Sequence, residues 1–402
     1  MKQRANDCSR LLGDFPVYDF RNEFTIWVHA ASMGEFEQAK PLIEMIKSYN
    51  PELKVVVSFF SPSGYNNQKN YRYADYILYL PLDTKRNAQE FISRINPNIA
   101  IFVRYEIWHN YLLELNKNNI PTYLICATKP SNKLMYENPI IKSFTRLNYS
   151  SFSKIYTVGE EHTDFFKALA ITTEIKTTAD IRFDRILSII GEARNQPIIP
   201  REIFSEEDLV LVAGSTWEPD EDLILNGWNM LAGEQKQKIR LVFVPHEPTE
   251  KHLGLLLSKL SNYILLSQLE EKLNNNSPTE LKKDLSGKIL VVDSIGKLLR
   301  LYAAADIAYI GGAFGVGVHS VAEPAGYSLP LATGPRYINS PDAIALLSLQ
   351  ALTILKNPAE FKTWIEGISE DISRNSIGKI SFDYIYKGAG WTQKIFSEIL
   401  PH

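Results

Sequence analysis

Ser32, Gly34 and Glu35 close an apolar run in "WVHAASMGEFEQAKPLI" (residues 27–43). Glycine lets the backbone turn tightly and lets a second molecule approach it. A carboxylate delivered directly after Gly34 can therefore act on something outside the protein. The same residues also describe a charge that complements the positive end of a helix dipole. Such a dipole lowers the carboxyl pKa unless burial offsets it. "RYEIWHN" ends a later apolar run and supplies Arg104, Glu106 and Trp108.

"GGAFGVGVHSVAEP" (311–324) is the most informative local motif. Gly311, Gly312, Gly315 and Gly317 predict a strand-to-helix loop whose amides face an anion, with the next helix start adding a positive field. Glu323 can accept hydrogen bonds from sugar hydroxyls, so a nucleotide phosphate with its ribose suits the motif. A tight connection with a first-turn charge is the alternative. No Gly-Lys pair is followed by Ser or Thr, which excludes a Walker loop, and the spacing departs from the dinucleotide fingerprint. In "STWEPDEDL", Ser215 or Thr216 is expected to cap a helix. Asp220 and Asp222 form an acid-x-acid pair of the kind that holds a metal on a nucleotide diphosphate. Acidic first turns complement helix dipoles without any metal, and no metal is expected. Seven histidines show no H-x-x-x-H spacing; His29, His246 and His319 fall at strand ends or loops. No G-x-S-x-G elbow is present, against an α/β-hydrolase.

These residues need elements to position them. Short β-branched runs alternate with amphipathic stretches, the pattern of βα units around a parallel sheet. Six such runs, from "FTIWVHA" to "KIYTVG", make one doubly wound half; six more, from "LVLVAGS" to "PLATGP", make a second. The proline- and charge-rich segment 191–208 separates them, which predicts domains at 1–190 and 209–385 and a final helix at 386–402. "EEKLNNNSPTELKKDLSG" reads as a polar, mobile insertion. Sheets of this kind bind ligands at their carboxyl ends. The predicted class is α/β, with two doubly wound domains facing a central cleft.

The chain of 402 residues is 45% hydrophobic with a net charge of -3, a composition that argues against a dedicated nucleic-acid partner. Only Cys8 and Cys126 occur, without zinc or disulfide spacing, and a reducing compartment fits. No apolar run reaches spanning length, so a cytoplasmic protein is expected.

The collinear series "HAASMGEFEQAKPLI", "YEIWHN", "DIRFDR", "AGSTWEPDED", "VPHEP", "DSIGKLLRLYAAADIAYIGGAF", "GVHSVAEPA" and "GAGWTQKI" resembles the 3-deoxy-D-manno-octulosonic acid (Kdo) transferases of lipopolysaccharide assembly. The resemblance implies a GT-B fold with two Rossmann-like domains and a C-terminal helix crossing back to the first. It implies an inverting transfer from CMP-Kdo, bound by the second domain, to a lipid A precursor approached from the first, without cofactor or metal. Glu35 would be the catalytic base, with Ser32, Gly34 and Glu106 on the acceptor side. Ser215, Thr216, His246, Ile295, Gly296, Gly312, Gly317, His319, Ser320 and Glu323 would line the donor site, Glu323 on the ribose. The sequence departs from the family pattern at Arg104, usually Glu, and at His246, usually Arg. It departs again at Ser320, usually Asn, at Lys297, usually Glu, and at Ala179, usually Gly. The missing Asn amide bears on donor affinity. Family members usually open with a hydrophobic anchor, whereas this chain starts shortly before its first strand. Either a segment preceding the given sequence or a surface patch is expected to hold it at the cytoplasmic face of the inner membrane, with "YNNQKNYRY" (65–73) a candidate surface or simply a solvated helix. A GT-B transferase for another nucleotide sugar, an epimerase-like relative, and a degenerate nucleotide- or lipid-binding protein are the alternatives.

Overall fold

The computed structural model describes residues 23–130, 132–273 and 276–400. Cys8 and the outer ends of the expected domain ranges lie outside the described residues. The chain divides into two compact units, one of residues 1–185 with 388–402 and one of residues 186–387.

The first unit holds a seven-stranded parallel sheet: β1 (Thr25–Ala30), β2 (Lys54–Phe59), β3 (Tyr76–Tyr79), β4 (Ile99–Val103), β5 (Thr122–Ala127), β6 (Lys154–Val158) and β7 (Glu174–Thr178), in the order β3-β2-β1-β4-β5-β6-β7. All six residues of β1 are buried, as expected of a strand covered by helices on both faces. Trp27, Phe91, Phe102 and Tyr111 fill one face, and Val28, Phe36, Ile43 and Val57 fill the other. The second unit holds β8 (Leu209–Thr216), β9 (Ile239–Pro245), β10 (Tyr263–Leu265), β11 (Ile289–Val291), β12 (Ile307–Ile310), β13 (Leu331–Thr333) and β14 (Leu352–Ile354), in the order β10-β11-β9-β8-β12-β13-β14.

In the first unit the chain steps outward from β1 to β3 and restarts on the other side of β1 at β4; in the second it passes from β8 to β9, crosses to the edge at β10, returns inward to β11 and restarts on the other side of β8 at β12. The topological switch lies between β1 and β4 in the first unit and between β8 and β12 in the second, where open α/β sheets place their ligands. Glu35 follows β1 and Arg104–Glu106 follows β4; Ser215 and Thr216 end β8 with Trp217–Glu221 directly after, and Gly311–His319 follows β12. Strand order therefore gathers, within each unit, chemical residues that the sequence keeps far apart.

β7 and β14 are two strands beyond the six expected in each half. β7 reads "EIKTT" with Glu174 exposed, and a polar edge strand of this kind carries no continuous apolar signal. Residues 191–195 are not linker: they are the end of the helix Arg182–Asn195. That helix continues because Ile186, Ile190 and Ala193, at i, i+4 and i+7, are buried in the second unit. Much of the polar insertion is also helical, as Pro278–Leu285, capped by Ser277 and anchored by buried Leu281 and Leu285.

The last helix, Trp391–Ile399, belongs to the first unit. Its Ile395, Phe396 and Ile399 join the core beside the helix Met33–Tyr49. Asp184 fixes its start by accepting from the amide of Gly390 and from the amide and hydroxyl of Thr392. Near its end Glu398 accepts from Tyr156 Oη at 2.9 Å and pairs with Lys154 at 2.7 Å and with Lys176. Burial pushes the Glu398 carboxyl up, but these bonds prevail and hold it at about 2. Among the described residues no helix is long and apolar enough to cross a membrane.

Candidate active site

In the first unit Ser32 is the N-cap of the helix Met33–Tyr49, in extended backbone, and Glu35 occupies its third position. The two form a reciprocal capping box. Ser32 N–H donates to Glu35 Oε2 at 3.0 Å, and Glu35 N–H donates to Ser32 Oγ at 3.4 Å. Gly34 is exposed, and a side chain there would meet nothing within 4 Å. Glu35 itself is 4% exposed. Burial raises its carboxyl pKa against the opposing pull of the Ser32 bonds and the Arg104 guanidinium. The offset that a catalytic base requires at this helix start is thus supplied by the fold.

Across the switch point, Arg104 follows β4 in left-handed backbone, φ 68°. Its charge acts on both Glu35 and Glu106, and its Nε is buried without a hydrogen-bond partner. Trp108 Nε1 donates to Glu106 Oε2 at 2.8 Å and fixes that carboxylate. Burial, and then the charge of Glu35, push Glu106 up to about 7. Two carboxylates that sense each other, with an arginine between their demands, can divide the roles of base and proton reservoir near neutral pH. His29 is not part of this group: it is fully buried, its Nδ1 lies 2.9 Å from Ser58 Oγ, and its ring packs edge-on against Trp108.

The Glu106 shift has a measurable consequence. A carboxyl that titrates near 7 in the native state and near 4.5 unfolded keeps an extra native proton between those values, so its contribution to stability falls as pH rises through that window. Glu106→Gln should match the wild type near pH 4.5 and exceed it by about 3 kcal/mol above pH 8. Thermal unfolding of both proteins across pH checks this; a difference independent of pH would contradict it.

In the second unit β8 ends in a bulge at Ser215, φ 54°. Neither Ser215 nor Thr216 caps the next helix, Glu218–Asn229. Its N-cap is Trp217, whose N–H donates to Asp220 Oδ2 at 3.0 Å, because Thr216 Oγ1 is turned inward to Glu221 Oε1 at 2.9 Å. Burial raises Glu221 against the pull of His252, whose Nε2 lies 2.9 Å from the same oxygen.

The acid-x-acid pair does not converge. Asp220 is fully buried and also accepts from Tyr309 Oη at 2.8 Å and Gly312 N–H at 3.0 Å. Asp222 pairs with Lys259 at 2.6 Å, where both side chains meet solvent. Among the described residues no three metal-ligating side chains come together.

The glycine loop differs from expectation in where its amides go. Gly311 N–H donates to Gly214 O, Gly312 N–H to Asp220, and the amides of Gly315 and Gly317 both to Gly312 O. These four donors are used within the fold, and the helix that follows, Ala322–Gly326, has only five residues. The glycines serve close packing instead. A Cβ at Gly311 would lie 2.3 Å from Ser215 O, and one at Gly312, φ 94°, would lie 2.6 Å from Gly317 O.

That packing brings rings together. His246 and His319 stack at 4.1 Å, Trp217 lies 5.2 Å from His246, and Trp217 Nε1 donates to His319 Nε2 at 3.4 Å. Burial, then the neighbouring His246, lower the His319 pKa, so its neutral ring keeps a proton on Nδ1. Gly317 stands against Asn339, and Ser320 is exposed. Glu323 lies in the first turn of the short helix, where its charge reaches Tyr302 and Tyr327. Ile295, 83% exposed, and Gly296, φ 82°, form the separate loop after β11. Trp217, Asp220, Glu221 and His252 are contributors that the sequence did not single out for the site; an acidic first turn hides an inward carboxylate.

Comparisons with known proteins bear on both units. Residues 6–185 match the family model for 3-deoxy-D-manno-octulosonic-acid transferase (kdotransferase). The 3-deoxy-D-manno-octulosonic acid transferase of Haemophilus influenzae is 24% identical over 94% of this chain and 87% of its own length. That of Chlamydophila psittaci is 28% identical over 81% and 73%. Among solved structures, the UDP-GlcNAc 2-epimerase of Neisseria meningitidis aligns with a TM-score of 0.61 at 12% identity, and MurG of Acinetobacter baumannii with 0.57 at 10%. Each covers 94% of this chain and 99% of its own, likenesses that show the GT-B fold. With that fold, the chain resembles the 3-deoxy-D-manno-octulosonic acid transferases over nearly its whole length, in the family model on residues 6–185 and in relatives aligned across both units.

Proposed function

We propose that the protein transfers Kdo from CMP-Kdo to a hydroxyl of a lipid A precursor, with inversion at the anomeric carbon and with Glu35 as the base. The observation that carries this reading is Glu35 itself: a carboxylate held by a capping box, buried, raised in pKa, and set beside the switch point of its sheet. In a single displacement the acceptor hydroxyl gives its proton to Glu35 while its oxygen bonds to the anomeric carbon. The bond from that carbon to the CMP phosphate oxygen breaks, and CMP leaves with the electron pair. Arg104 favours the ionised form of Glu35 that begins the reaction, and Glu106 takes part on the acceptor side.

On the donor side, Ser215, Thr216, His246, Gly312, Gly317, His319, Ser320 and Glu323 are the proposed contacts, with Ile295 and Gly296 on the neighbouring loop. Because the glycine amides are engaged internally, the charge on the departing phosphate falls to side chains, among them the Nδ1–H of His319 and the hydroxyls of Ser215 and Ser320. The lipid acceptor places the work at a membrane surface, proposed as the cytoplasmic face of the inner membrane.

The test is transfer from CMP-Kdo, generated in situ, to a tetra-acylated lipid A precursor in EDTA, following product mass and CMP release. Product in EDTA is the expected result. A folded protein that binds CMP but forms no product would point to a different acceptor or a non-catalytic binder, and transfer from a UDP-sugar would point to another donor.

A further inference from the structure

Arg104 stands apart from its neighbours because nothing among the described residues takes up its side-chain donors. Arg182 pairs with Asp180 at 2.8 Å, and Arg185 pairs with Glu37 and Glu44 at 3.4 and 3.3 Å. Arg104 Nε, in contrast, is buried without a hydrogen-bond partner, and no carboxylate among the described residues closes an ion pair with this guanidinium. Its two acidic neighbours are held elsewhere, Glu35 by Ser32 N–H and Glu106 by Trp108 Nε1. The ring of Tyr105 lies 5.7 Å from the guanidinium carbon and accepts none of its five N–H bonds. A buried donor left unpaired is costly, so this arrangement suits an acceptor oxygen that arrives with a ligand.

The neighbouring strand end adds a second cation. Strands β4, β5 and β6 are adjacent in the sheet, so the segments that follow them lie side by side. Cys126, φ 50°, is left-handed like Arg104, and the register of β5 against β6 shifts between Leu124 and Ala127. Left-handed backbone at non-glycine residues is strained and collects at functional sites. The shifted strand leads to exposed Lys129, whose ammonium lies 4.7 Å from the ring of Tyr136 and 5.8 Å from that of Phe165 and pairs with no carboxylate among the described residues. Lys129 N–H donates to His162 Nδ1 at 3.2 Å, at the start of the helix Glu160–Ala168 that follows β6, so the neutral imidazole keeps its proton on Nε2. Burial lowers the His162 pKa; Glu161 opposes, and the charges of Arg104 and Lys129 act with burial. Both cations therefore reach the same ring.

We propose that Arg104 and Lys129 bind an oxyanion of the acceptor, a phosphate monoester or a carboxylate on its sugar, with His162 Nε2–H as a further donor. An arginine fork matches either group with two parallel bonds. The subsite also answers an electrostatic need: Glu35 and Glu106 repel an acidic acceptor, and cations beside them offset that repulsion while the reacting hydroxyl comes to Glu35. Placed on the acceptor, it rests on the transfer proposed above, yet its binding is measured apart from turnover.

The full chain, saturated with CMP so that the donor site is filled, is titrated at constant ionic strength with glucose 6-phosphate, glucuronate and glucose while thermal unfolding is followed. Stabilisation by an acidic sugar and none by glucose is expected, and the stronger of the two acidic probes names the group. Arg104→Gln should weaken that affinity about tenfold or more, as loss of charge-assisted bonds does. Arg104→Lys, which keeps the charge without the fork, should fall between Gln and wild type. Lys129→Ala should weaken it about threefold, and because Lys129 is exposed this variant reports on the subsite without a change in folding. In transfer, Arg104→Gln and Lys129→Ala should raise the KM for the acceptor by similar factors and leave the KM for CMP-Kdo within about twofold. Equal affinity in wild type and both variants would overturn the subsite. So would no response to either acidic sugar, an equal response to glucose, or a rise in the donor's KM in place of the acceptor's. Anion binding that depends on Arg104 and Lys129 in a protein that transfers nothing would uphold the subsite and overturn the transfer instead.

Discussion

Glu35→Gln is expected to lower transfer by about a thousandfold, within the range that loss of a positioned base produces, while CMP affinity stays within about twofold of the wild type. The amide is the informative replacement because Glu35 closes the capping box and is also the proposed base. Its Oε2 accepts from Ser32 N–H and closes the capping box, and a Gln oxygen can keep that bond, so the helix start survives while the basic oxygen is gone. Glu35→Ala removes both and should also cost about 1 kcal/mol of stability, the usual value of a cap. Ser32→Ala is the complementary control: it weakens the cap from the other side and leaves the carboxylate in place. If Glu35 is only a helix-start charge, Gln and wild type will turn over alike, and stability loss will track with Ser32→Ala. Transfer that vanishes in the Gln variant with the fold and CMP binding intact assigns the chemistry to the carboxylate.

How much of this site was legible beforehand depends on the range over which each residue is determined. Ser32 and Glu35 are three apart, and a capping box is a local device, so the sequence indicated both the helix start and the carboxylate. That the carboxyl is raised rather than lowered depends on burial beneath residues of distant strands, which no spacing encodes. Arg104 stood out as a residue at a strand end and as a departure from the family pattern. Its meeting with Glu35 follows from the order β3-β2-β1-β4, a tertiary fact. The two doubly wound halves were evident from their apolar runs, whereas β7 was not, because an edge strand can be polar. The glycine loop was correctly placed between strand and helix, but the destination of its amides was not visible: Gly312 N–H is taken by Asp220, ninety-two residues earlier. The same long reach explains why Asp220 looked like a dipole charge.

Asp220→Ala should be the most damaging single change in the second unit. The carboxylate accepts from Trp217 N–H, Gly312 N–H and Tyr309 Oη, and its removal strands three donors in a buried site. At about 1–3 kcal/mol for each buried group left unpaired, partly recovered by relaxation, the loss is on the order of 4 kcal/mol. CMP binding should fall with it, since Gly312 and Trp217 lie against the stacked rings of His319 and His246. Asp220→Asn retains an acceptor oxygen and removes the charge. It should therefore lose less than Ala, because burial already disfavours the ionised form, raising the Asp220 pKa despite its three donors. Asp222→Ala supplies the contrast. That side chain meets Lys259 at the surface, and an exposed pair is worth about 0–1 kcal/mol. Urea unfolding and CMP titration of the three variants separate the readings. A brace for the glycine loop requires a large loss at 220 and almost none at 222. A metal-holding pair would instead abolish turnover at both positions with little change in stability, and would make the wild-type reaction sensitive to EDTA.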